Sequence, residues 1–246
     1  AQGPGVPLLD AVPAESSEDC LRLNIWSPVM PGFCSYDCNP RTVLVFFYGR
    51  SFAHGSNDLF DGRALAARGD VTVVVPNYRL GVLGFLNANR TDAPGNVGLQ
   101  DMLLAIKWVQ DNIDVFGGDA KNASIVLFGH DTGATSLGYF LLHGGLLKSK
   151  RLILHSGSPL RPLWDNTAGA GANLRALAAN ASCPAGADGA LLDCLRNLTT
   201  AELQRASDRL GIAFGPRFVP SFNSFPVMVS PFGVADAELF KDKQVL

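Results

Sequence analysis

Four short apolar runs, at residues 42–48, 71–77, 124–129 and 151–155, constrain this chain more than any other feature. They are rich in Val, Leu, Ile and Phe. A strand with one wet face alternates apolar and polar residues, so near-continuous apolar strands call for a sheet covered on both faces. Helical patterns fall between them. Leu99, Met102, Leu103, Ile106, Val109 and Ile113 recur on one helical face, and Gly117-Gly118 ends that helix. A second helix is expected over 134–143, stopped by Gly144-Gly145, with further candidates at 173–180 and 201–209. Residues 21–26 alternate and read as an additional strand. This order predicts an α/β fold with a mostly parallel central sheet flanked by helices. No internal repeat or linker divides the chain, so residues 1–246 are expected to form one domain.

Composition removes several function classes. The net charge is -2, from 20 basic and 22 acidic residues. A nucleic-acid binder driven by phosphate contacts would carry a basic excess, and nothing here favours an anionic membrane surface. No apolar run reaches the ~18–20 residues that span a bilayer. The first residues, AQGPG, lack the basic end and apolar stretch of a signal peptide. An apolar fraction of 47% against 17% charged residues implies a buried core.

The five cysteines, Cys20, Cys34, Cys38, Cys183 and Cys194, show no metal-ligand spacing. No metal and no cofactor is expected. Cys34 and Cys38 lie in a Pro/Gly-rich loop that suits a small local disulfide. Cys183 and Cys194 bracket a short loop that a disulfide could close, and Cys20 is the odd one out. Four N-x-S/T sequons, at Asn89, Asn122, Asn180 and Asn197, are candidate glycosylation sites. With the disulfides they favour a secreted protein or the extracellular face of the cell.

The run at 124–129 passes directly into Gly129-His130-Asp131-Thr132-Gly133 and then a helix. Strand, sharp turn and helix form the context of the nucleophile elbow, G-x-S-x-G. The turn needs small first and last residues and lifts a strained central residue above the sheet. That residue is Asp131. Around it the chain resembles the type-B carboxylesterase and cholinesterase family of α/β-hydrolases. The resemblance rests on EDCLRLNIW at 18–26, NYRLGVLGFL at 77–86, APGNVGLQD at 93–101, FGGD at 116–119 and HSGSP at 155–159.

The resemblance implies an α/β-hydrolase fold, a Cys183–Cys194 disulfide and a structural ion pair between Arg79 and Asp101. It also implies changes at the catalytic positions. Asp131 stands where the family has its Ser nucleophile. An H/Y-G-G-G-F loop supplies oxyanion donors in the family, and here that loop reads Tyr48-Gly49-Arg50-Ser51-Phe52. Arg50 and Ser51 bring side chains where the family has glycine, and Thr132 takes the place of the third donor. All three oxyanion-hole positions are therefore expected to be non-functional. Phe214, Phe218 and Phe222 lie where cholinesterases place acyl-pocket aromatics, but packing is the commoner role, and Pro216 replaces an expected aromatic. His130 fills the variable second elbow position, while His54, His143 and His155 have no partners at readable spacing.

In this family the acid and the His follow the nucleophile by well over a hundred residues. Asp131 has 115 residues after it in a chain of 246, and 243–246 look like the start of the next central strand. The chain is thus expected to be the N-terminal part of a larger protein, with the partner of Cys20 upstream. Alone it is expected to leave an apolar sheet edge open and to aggregate. Three functions are compatible with these residues. The first is a non-catalytic binding or adhesion homologue with a protein partner. The second is a carboxylic ester hydrolase, as the family would have it. The third is an Asp-nucleophile hydrolase, because epoxide hydrolases carry a G-H-D-W-G elbow. Those enzymes, however, have an H-G-x-P loop where this chain has Tyr48-Gly49-Arg50-Ser51.

Overall fold

The computed structural model describes residues 17–29, 39–121, 124–143, 146–160, 167–210, 218–221 and 242–246. Six strands form one sheet: β1 (Leu23–Trp26), β2 (Val43–Phe47), β3 (Thr72–Pro76), β6 (Ile125–His130), β7 (Arg151–His155) and β8 (Gln244–Val245). A small antiparallel hairpin, β4 (Asn87–Arg90) and β5 (Ala93–Pro94), stands apart. The sheet order is β1-β3-β2-β6-β7-β8. Among the described residues of this sheet, β1 alone runs antiparallel, against β3, and the other pairings are parallel.

The expected parallel sheet is present, and burial explains its composition. Val43, Val45 and Phe47 are fully buried on one face of β2, while Leu44 and Phe46 on the other are half-covered. All five residues of β3 are buried. The helices among the described residues are α1 (Arg63–Gly69), α2 (Gly81–Phe85), α3 (Val97–Asn112), α4 (Thr132–Leu142), α5 (Thr167–Asn180), α6 (Asp188–Arg196) and α7 (Thr200–Asp208), with α1 packed on β3, α4 on β6 and β7, and α5 on β4, α6 and α7. Leu99, Met102, Ile106 and Val109 of α3 face the core, whereas Leu104 is 60% exposed. A 3-10 turn, Ile113–Phe116, continues α3 and stops at Gly117, whose φ of 82° is left-handed. Three helices, α1, α2 and α6, are missing from the sequence-based expectation. All three are short, and α6 buries Leu191, Leu192 and Leu195.

Topology places the functional loops. From β2 the chain steps outward to β3 on one side, and from β6 it steps outward to β7 on the other. The carboxyl ends of β2 and β6 therefore meet at the point where winding reverses, where open α/β sheets place their ligands. Register brings Phe47 opposite Gly129, and His130 opposite His155.

Two ties brace this frame. Cys183 and Cys194 are joined by a disulfide with Cα atoms 6.0 Å apart, fastening the loop after α5 to α6. Arg79 grips Asp101 through two bonds, Nε to Oδ2 at 2.7 Å and Nη2 to Oδ1 at 2.8 Å, and its backbone N–H adds a third at 3.1 Å. The carboxylate is 5% exposed and the guanidinium 38%, so the pair is buried at its acidic end only. The carboxylate beside it holds the guanidinium pKa above its usual value. Cys20 has a free, half-buried thiol, whose pKa burial pushes up. Cys34 and Cys38 lie outside the described residues.

Two expectations follow from these ties. Replacing both Cys183 and Cys194 by Ser should destabilise the protein by about 3 kcal/mol, the chain-entropy value for a loop this short, read from the urea midpoint. Arg79→Met strands a buried carboxylate and should cost about 3 kcal/mol, the low end for a broken buried pair. Asp101→Asn should cost clearly less, because Arg79 can turn to water. Equal losses for the two variants in thermal unfolding would contradict this asymmetry.

Candidate functional site

Strand β6 ends at His130 and α4 begins at Thr132, so the whole turn falls on Asp131. Its φ of 50° and ψ of -114° lie outside the ordinary wells. Such backbone persists only where surrounding structure over-determines it. Part of that comes from glycine. A Cβ on Gly133 would lie 2.8 Å from the Phe47 carbonyl carbon, so α4 packs directly on the end of β2. A Cβ on Gly49 would lie 2.6 Å from Asp131 Cβ and 2.7 Å from Thr132 N. The loop after β2 therefore touches the elbow backbone to backbone. The Asp131 N–H donates to the His155 carbonyl at 2.9 Å, and the Thr135 N–H donates to the Asp131 carbonyl at 3.0 Å.

The loop after β2 is strained in its own right. Arg50, Ser51 and Phe52 have φ of 133°, 58° and 59°, and each such non-glycine residue costs on the order of 1–3 kcal/mol. Several bonds hold it. The Tyr78 hydroxyl donates to the Tyr48 carbonyl at 2.7 Å, and the Gly81 N–H to the Phe52 carbonyl at 2.7 Å. The buried Phe52 ring packs on Phe85 with centroids 4.9 Å apart. Toward the elbow, the Ser51 N–H donates to Asp131 Oδ2 at 3.1 Å, and the Phe52 N–H to Thr132 Oγ1 at 3.4 Å. Burial pushes the Tyr78 phenol well above its usual pKa, so it stays a neutral donor.

Asp131, Ser51 and Thr132 are thus brought together, with Arg50 next to them in the same loop. The half-buried carboxylate of Asp131 accepts from a backbone amide. Ionised, it needs no base to expose a lone pair and has no proton to surrender. Two hydroxyls of α4 are committed: Thr135 donates to the Asp131 carbonyl at 3.2 Å, and the buried Ser136 donates to the Thr132 carbonyl at 2.8 Å. His130 and His155 form a ring pair with centroids 5.2 Å apart. Sequence reading missed this pair, since only the β6–β7 register sets the two side by side. His143 Nδ1 lies 2.8 Å from the Tyr139 carbonyl.

Sequence reading also missed a cleft of about 520 Å³ whose lining includes Cys20, Tyr48, His54, Asn57, Asn77 and Arg79. These come from three separate segments, so no local motif announces it. Asn77 Oδ1 accepts from the Tyr48 hydroxyl at 2.9 Å and from the Asn57 N–H at 2.8 Å. The cleft includes none of Arg50, Ser51, Asp131 or Thr132.

Of the sequons, Asn89 is exposed beside the β4–β5 turn and Asn197 is exposed at the end of α6. Asn180 is half-buried, and its amide donates to the Ala206 carbonyl at 3.3 Å. Asn122 lies outside the described residues, as do Phe214, Pro216 and Phe222, whereas Phe218 is buried. Among the described residues no group of His, Cys, Asp and Glu is arranged to hold a metal ion, and no helix is long and apolar enough to cross a membrane.

Comparison with known proteins agrees with this architecture. The carboxylesterase family model matches residues 5–244. The acetylcholinesterase of Gallus gallus is 42% identical over 228 residues, covering 89% of this chain and 28% of that protein. The acetylcholinesterase of Electrophorus electricus is 40% identical over 242 residues, covering 94% of this chain and 36% of that protein. Carboxylesterase 5A of Felis catus is 39% identical over 201 residues, covering 80% and 35%. The chain therefore spans between 28% and 36% of the length of these relatives. A match along nearly its whole length, on a mostly parallel sheet flanked by helices, means that the chain belongs to the carboxylesterase family and has its α/β-hydrolase fold.

Proposed function

We propose that this protein is a non-catalytic member of the carboxylesterase family that acts by binding a protein partner. The observation that carries the reading is the carboxylate at the elbow. A serine esterase needs a hydroxyl that a His can deprotonate and donors aimed at the tetrahedral oxygen. Asp131 offers no hydroxyl, and its Oδ2 already accepts the Ser51 N–H. Arg50 and Ser51 add side chains where the family resemblance has glycine, and Thr132 sends its Oγ1 to the Phe52 amide. Losing one oxyanion donor costs roughly 10²–10³ in rate, and losing the nucleophile about 10⁶.

A second reading rests on the same carboxylate. A carboxylate oxygen can attack an epoxide carbon directly. The ring C–O bond breaks, the alkoxide takes a proton, and water then cleaves the resulting ester. The Ser51 N–H would hold the oxygen that does not attack.

The closed Cys183–Cys194 bridge and the exposed sequons support a secreted protein or an extracellular location. In protein purified from a secreting host, peptide mapping after enzymatic deglycosylation should convert Asn89 and Asn197 to aspartate. Asn180, whose amide is already engaged, should be converted to a smaller extent. Unmodified Asn89 and Asn197 would count against the extracellular assignment.

The deciding experiment for activity uses the full-length wild type and Asp131→Ser. Neither should react appreciably with a fluorophosphonate probe or turn over acetylthiocholine or p-nitrophenyl acetate, because the oxyanion loop stays altered in the variant. Saturable ester turnover or probe labelling in the wild type would establish an esterase instead. Wild-type turnover of an epoxide, lost in Asp131→Asn, would establish the Asp-nucleophile reading.

A further inference from the structure

Asp131 sits at the N-cap of α4, where Asp is among the most favoured residues because its carboxylate can accept from the first free N–H groups of the helix. Here it makes no capping bond. An N-cap residue ordinarily has extended backbone, whereas φ 50° and ψ -114° carry this side chain elsewhere. It crosses instead to the Ser51 N–H, eighty residues away in sequence and 3.1 Å away in space. Ser51 lies in the middle of three consecutive left-handed, non-glycine residues. The next donor along, the Phe52 N–H, is met by the elbow's following side chain, Thr132 Oγ1. Two successive amides of a strained loop thus meet two successive side chains of the elbow.

We infer that the Asp131 carboxylate is a built-in occupant of a backbone anion cradle. It holds the loop at residues 49–53 in its left-handed conformation and closes that cradle to carboxylates and oxyanions from solution. Asp131 acts here as a positioning residue for the loop. This goes beyond the non-catalytic reading and does not depend on it, since it concerns the contact between Asp131 and the Ser51 amide and the backbone that this contact restrains. An ester-turnover assay could fail or succeed without touching it.

The test is amide hydrogen exchange in the full-length protein, comparing the peptide spanning residues 48–53 with one from β3. In Asp131→Ala, exchange of the 48–53 peptide should rise about tenfold or more, as expected for loss of a hydrogen bond to a charged group, while the β3 peptide stays at its wild-type rate. Asp131→Asn keeps an acceptor oxygen at the same reach and should restore most of the protection. Added formate should slow exchange of the loop in Asp131→Ala, by supplying the missing carboxylate, and leave the wild type unchanged. Four results would overturn the assignment: unchanged loop exchange in Asp131→Ala, an equal rise in both peptides, no rescue by Asn, or no effect of formate on the Ala variant. A formate effect on the wild type would show that the cradle is open and would overturn its closure.

Discussion

The contact between two backbones at the carboxyl ends of β2 and β6 governs the rest of the site. Parallel pairing sets Phe47 beside Gly129, and the chains leaving those strands must then pass without Cβ atoms between them. Gly133 lets α4 rest on the end of β2, and Gly49 lets the following loop rest on Asp131 and Thr132. A methyl group at either place would require a backbone shift, and a close-packed interior transmits such shifts to its neighbours. Everything functional in the neighbourhood is a consequence: the strained elbow, the left-handed loop facing it, and amides from one that meet side chains of the other.

Strain and restraint are balanced locally. Asp131 and the three residues from Arg50 to Phe52 all carry positive φ. Their restraints come from every side: the His155 carbonyl under the elbow, the Tyr78 hydroxyl under Tyr48, the Gly81 amide at Phe52, and the aromatic pair Phe52–Phe85. Burial keeps the Tyr78 phenol protonated, so this donor persists through any physiological pH. Behind the loop, the bidentate Arg79–Asp101 pair ties the segment after β3 to α3. Altering the central elbow residue therefore acts first on loop geometry, and only through that geometry on chemistry.

Much of the architecture was legible in the sequence because it follows from local pattern. The apolar runs at 42–48 and 71–77 became β2 and β3 within a residue at each end, since no alternative buries so many β-branched side chains. The face of α3 read from Leu99, Met102, Ile106 and Val109 is the buried one. The strand–turn–helix about Asp131 was evident from two glycines flanking a three-residue step. Less visible were α1, α2 and α6, whose seven, five and nine residues leave an apolar period little room to show. The early start of α5 at Thr167 was hidden by its small residues, Ala and Gly, which mark neither face.

The sequence by itself determined the fold class, the family and the identity of the residue on the elbow, because strand composition, glycine spacing and side-chain chemistry are properties of short segments. Tertiary structure alone decided what that residue touches. The Ser51 amide reaches Asp131 across eighty residues, His130 meets His155 only through strand register, and the cleft beside Cys20 gathers side chains from separate segments. These contacts depend on parallel pairing of strands distant along the chain, and no local period encodes the distance between two loops that such pairing brings together.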